Sequence, residues 1–90
     1  MTDFAHRTLP QGVQLGKTSR DVFDVLARFT SFPWPVMQAQ CRREGLDPTS
    51  LSRGDVERII PHLTSAVARF TSPEKGEKVE QALRAIATAS

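Results

Sequence analysis

Apolar residues along this chain recur mainly at intervals of three and four, the period that places side chains on one face of a helix. Val22, Leu26 and Phe29 make the first such series, and Phe23 and Val25 widen it. Thr18 and Asp21 precede it at capping-box spacing, so the first helix is predicted to start at Thr18 or Ser19. Pro33 and Pro35 end that helix and open a second, since proline disfavours helical geometry in the residue before it yet suits a first turn. The second helix is predicted from about Pro35 to Glu44, with Val36, Met37 and Cys41 inward. Gly45 supplies a left-handed stop, and Leu46 stands where a Schellman motif places its hydrophobic contact. Asp47-Pro48 can cap one short turn, and Leu51 follows as an apolar plug.

The third series is the clearest. Ser52 and Asp55 have the spacing of an N-cap and its third helical residue, with Leu51 and Val56 placed for a hydrophobic staple. Val56, Ile60, Leu63, Val67 and Phe70 then follow at steps of four and three, with Ile59 and Ala66 beside them. Pro61 falls inside this pattern, where it removes one hydrogen bond to the Glu57 carbonyl and crowds that carbonyl. Because the apolar phase passes through Pro61 without resetting, one kinked helix is expected in preference to a split pair. Ser72-Pro73-Glu74 starts a last helix with a cap, an N1 proline and an acid against the helix dipole. Val79, Leu83 and Ile86 are its inner face, and Glu74–Lys78 and Glu80–Arg84 are pairs four apart in the favourable order.

Residues 1–17 show no such period and are interrupted by Pro10, Gly12 and Gly16, so an extended or partly disordered N-terminal strap is expected there. The expected fold is therefore all-α. It is a compact four-helix domain over residues 18–88, two αα-hairpins with the third helix kinked or split at Pro61. Ala-Arg-Phe-Thr-Ser occurs twice, at Ala27–Ser31 and Ala68–Ser72, and each copy ends one helix and leads through a proline into the next. In that register Val22, Leu26 and Phe29 align with Leu63, Val67 and Phe70. The repeat reads either as the remnant of a duplicated hairpin or as one helix-ending solution used twice.

Composition narrows function mostly by exclusion. Ninety residues hold one domain with a modest core, for which a partner or a second copy would be a physical advantage. Twelve basic and ten acidic side chains leave a formal charge of +2, too small an excess to argue for nucleic acid unless the cations cluster. Cys41 is the only cysteine, so no internal disulfide can form, and with only His6 and His62 beside it no structural metal set is expected. Neither an apolar leader nor a run of membrane-spanning length is visible, so the expected location is the cytoplasm.

Candidate chemistry is sparse. Gly16-Lys17-Thr18 ahead of a helix has the last three residues of a phosphate-binding loop, but Gln11 stands where its first glycine is required. Cys41 falls on an apolar face rather than in a basic, accessible setting, and His62 has no acid at helical spacing suited to tune it as a base. No catalytic residue, metal, cofactor or small-molecule substrate is inferred, and the chain is expected to be no enzyme.

Two features suggest contact with a partner. Arg58, His62, Ser65 and Arg69 share one face of the third helix, a line that could meet an acidic surface or a phosphate backbone. Phe32-Pro33-Trp34-Pro35 restrains the backbone around the only tryptophan, which makes Trp34 a cheap ring to order. Trp34 then serves as a core plug with Phe29 and Phe32 or as an interface anchor. The expected function is a non-enzymatic protein–protein interaction or regulatory adaptor module, acting on another protein or on a second copy of itself. Its expected binding residues are Trp34, Phe32, Arg58, His62 and Arg69. DNA binding through the basic face of the third helix is the runner-up. Asp55 and Glu57 at the start of that helix oppose it, and the connection from Gly45 to Ser52 is long for a helix-turn-helix.

Overall fold

The computed structural model describes residues 12–88, which fold as four helices: α1 (Lys17–Phe29), α2 (Pro33–Arg43), α3 (Arg53–Phe70) and α4 (Pro73–Thr88). The protein is all-α, and no strand occurs among the described residues. Most of the expected strap lies outside them.

The first helix starts earlier than the capping-box spacing implies. Gly16 is the N-cap of α1 in extended geometry and provides no side-chain bond. Its N–H donates to the Thr49 carbonyl at 2.9 Å, and its own carbonyl accepts the Arg20 N–H. The end of the strap is thereby fixed onto the α2–α3 connection. Thr18 falls inside the helix, so the expected Thr18–Asp21 box does not form. Ser19 is instead fully buried, and its Oγ accepts the Leu51 N–H at 2.8 Å.

The second helix also begins two residues early, at Pro33. Pro33 occupies the first turn and is buried. Pro35 is accommodated because the N–H groups of a first turn have no intrahelical partner to lose. The other end follows the local code. Gly45 adopts φ of +69°, the Leu46 N–H reaches the Cys41 carbonyl at 2.8 Å, and the Gly45 N–H reaches Arg42 at 3.2 Å. That pair of bonds is a Schellman motif. Asp47 then turns the chain, accepting the Thr49 hydroxyl at 2.7 Å and the Thr49 N–H at 2.9 Å. Those two bonds hold its carboxyl below the ordinary range, with the hydroxyl contributing most.

The reciprocal box opens α3: the Asp55 N–H donates to Ser52 Oγ at 3.1 Å and the Ser52 N–H to Asp55 Oδ2 at 3.0 Å. Leu51 and Val56, the expected staple, are both buried. α3 then runs unbroken through Pro61. Pro61 and Glu57 are both exposed, so the carbonyl deprived of its helical donor stands on the solvent side of the helix. Ser72 caps α4, accepting the Lys75 N–H at 3.3 Å.

Val22, Leu26, Met37, Ile59, Leu63 and Leu83 are fully buried at the centre of one core drawn from all four helices. The α3–α4 hairpin is the most extensive pairing, and α1 contacts α4 more than α2. The first two helices are therefore less a free-standing hairpin than a layer laid over α3 and α4. No helix of the described residues is long and apolar enough to cross a membrane.

Candidate functional site

The two copies of Ala-Arg-Phe-Thr-Ser end their helices in matching ways. α1 stops at Phe29 and α3 at Phe70, each with threonine as the C-cap. The Thr30 N–H donates to Leu26 and the Thr71 N–H to Val67, each at 2.9 Å, and both acceptor residues are fully buried. The hydroxyls then differ. Thr71 Oγ1 donates back to the Val67 carbonyl, whereas Thr30 Oγ1 accepts the Phe32 N–H. The first copy thus holds the short bend that admits Pro33, and the second leads directly into α4.

Both helix ends emerge at the same end of the bundle, where they enclose a groove of about 550 Å³. Phe29, Phe32 and Phe70 supply its aromatic wall, and Pro35, Val36 and Ala39 on α2 complete the apolar surface. Phe29 packs against the core. Phe32 is 52% exposed and Phe70 68% exposed, and they are the two large apolar side chains that the described residues leave open to solvent. Lys75, in the first turn of α4, is the one charged residue lining the groove among the described residues. Gln40 lines it as well, and its Oε1 is buried with no hydrogen-bond donor among the described residues.

The sequence features are thereby redistributed. Phe32 stands in the groove wall, while Trp34, two residues on, is partly buried against the core and forms no part of that wall. Alternation at the start of α2 explains the split, since Phe32 is the N-cap and Trp34 lies within the first turn. Phe70 is not among the expected binding residues, because the apolar stripe of α3 makes it look like core. It is the last residue of the helix, stands 68% exposed and lines the groove. The repeat gives no sign of it either, since it equates Phe70 with Phe29, which packs against the core.

The basic stripe of α3 is changed by a side chain from elsewhere. Glu44, just past α2, places Oε1 3.4 Å from Arg58 Nη2 and Oε2 3.1 Å from His62 Nε2. One carboxylate therefore bridges two of the three nitrogen-bearing side chains in that line, leaving Arg69 outside the cluster. His62 does have an acidic neighbour, contributed by the residue that follows α2. Cys41 is fully buried, and its pKa is pushed up to about 11 by burial first, then by the charges of Asp55 and Asp47. Such a thiol is a packing group, not a nucleophile. Among the described residues no three His, Cys, Asp or Glu side chains are grouped to hold a metal ion.

The chain matches no family model, no curated protein and no solved structure.

Proposed function

We propose that this protein is a non-enzymatic interaction module and that the groove between the two helix junctions receives a segment of a partner protein. The observation that carries this reading is the pairing of Phe32 and Phe70, both more than half exposed, on either side of one apolar depression. Surface apolar residues scattered singly need no explanation, whereas aromatic rings gathered around a concave surface are typical of a contact site. Covering the exposed parts of both rings would contribute on the order of 2 kcal/mol. A small-molecule site encloses most of its ligand, which rings this open to solvent do not do. The clustered chemistry of an active site has no counterpart in this groove, which the described residues line with one cation and no acid.

Site-specific photo-crosslinking tests the proposal. A benzophenone amino acid replaces Phe70 in one variant and Glu57, exposed on α3, in another. After irradiation in extract of the native host, the Phe70 variant should give a discrete product of higher mass that the Glu57 variant lacks. Equal labelling from both positions, or none from Phe70, would count against the groove as a docking site.

A further inference from the structure

We infer that the occupant of this groove is an amphipathic helix that carries a carboxylate to meet Lys75; this rests on the interaction reading above. Three observations select that chemistry over the alternatives.

Backbone hydrogen bonding decides the form of the ligand. An extended peptide laid into an apolar groove must find partners for its N–H and C=O groups, usually at a sheet edge. The described residues contain no strand, and the groove's hydroxyls are partly committed already: Thr71 Oγ1 donates to Val67 and Thr30 Oγ1 accepts from Phe32. A helix satisfies its own backbone and needs only an apolar stripe to fill the depression. Phe32 and Phe70 then flank that stripe as rails.

Charge decides the partner's sequence. Lys75 lines the groove, makes no ion pair among the described residues, and faces no Asp or Glu in the lining. Its neighbour in sequence three positions on, Lys78, is by contrast paired with Glu74 at 3.8 Å. A ligand carboxylate would complete Lys75 at the groove's edge, where charge sets orientation and register more than affinity.

The same charge argues against a second copy of this chain. Two-fold pairing of groove on groove would bring two Lys75 side chains into one interface, with no carboxylate among the described residues lining either half.

The test uses the full chain and a displayed library of peptides about four helical turns long. Binders are selected on the wild-type protein alone and then assayed on each variant, and the variants are checked for wild-type helicity by circular dichroism. Selected peptides should share apolar residues at three- and four-residue steps and one Asp or Glu at a fixed position. Phe70→Ser should weaken them about tenfold or more, as expected for an aromatic anchor. Lys75→Glu should weaken them by a similar factor and be rescued when that Asp or Glu becomes Lys. Peptides that need Phe70 but ignore the charge at position 75 would overturn the acidic-helix inference and leave the docking site standing. Peptides indifferent to Phe70 would remove both. A dimer in sedimentation velocity that Phe70→Ser dissociates would overturn it in favour of a second copy.

Discussion

Gly76 in α4 lies so close to Ala68 in α3 that a Cβ added to it would stand 2.8 Å from the Ala68 Cβ and 3.1 Å from the Thr64 carbonyl oxygen. Helix propensity alone would make alanine the better residue at Gly76 by about 1 kcal/mol. The contact reverses that sign, because backbone and a methyl group on α3 cannot move aside without shifting the most extensively paired helices of the fold. Gly76→Ala is therefore expected to destabilise by about 1–2 kcal/mol net of propensity. Urea unfolding of Gly76→Ala, Ala68→Gly and the double variant checks it. The double variant should recover part of the loss, and strictly additive effects would show that the close approach is not the cause.

Ser19 and Leu51 are joined by the buried hydrogen bond that holds α1 to the α2–α3 connection. Ser19→Ala leaves the Leu51 N–H buried without an acceptor, at an expected cost of about 1–3 kcal/mol. Thr18→Ala, one residue away and in no cap, should cost under about 0.5 kcal/mol. Amide hydrogen exchange gives the more direct reading, since protection at Leu51 should fall in the first variant and persist in the second.

Cys41 makes stability depend on alkaline pH. Its folded pKa stands at about 11, above the ordinary 9.0, so the neutral thiol is the form that the core accepts. Below 9.0 both folded and unfolded chains keep the proton and the full stability is present. Between 9.0 and about 11 the unfolded chain releases it first, so stability declines as pH rises through that window. The urea midpoint of reduced protein should fall there, and Cys41→Ala should flatten that part of the profile. A thiol reagent should label Cys41 in folded protein far more slowly than in urea.

Glu44 sets the electrostatics of the face formed by Arg58 and His62. These are partly exposed pairs, worth about 0–1 kcal/mol each, so Glu44→Gln should change stability little. Its larger effect is on the field that a phosphate backbone would meet. Wild-type protein is expected to leave a random DNA duplex unretarded even at low salt. Retardation that weakens steeply with salt, and further in Arg58→Ala/Arg69→Ala, would restore the nucleic-acid reading.

Particular residues show how far the sequence could be read. The capping box of Ser52 and Asp55, the stop at Gly45 and Leu46, and the cap at Ser72 all form as their spacing implies. α3 also continues through Pro61 as its unbroken apolar phase implies. Thr18 and Asp21 had equally suitable spacing, yet Gly16 became the cap because Thr49 offered its N–H an acceptor from a distant loop. Phe29 and Phe70 occupy equivalent places in the repeat but differ in burial, since that depends on which neighbouring helix reaches each end.

The sequence by itself determined where most helices start and stop and which face of each turns inward. Those decisions rest on contacts within six residues along the chain, whose geometry is set by the local backbone and the capping side chains on it. Only the tertiary structure decided that Ser19 would hold Leu51, that Glu44 would reach Arg58 and His62, and that both Ala-Arg-Phe-Thr-Ser segments would converge on one groove. These pairs lie 14 or more positions apart. Their distances follow from how four helices settle over a shared core, a sum of many weak contacts that no local spacing encodes.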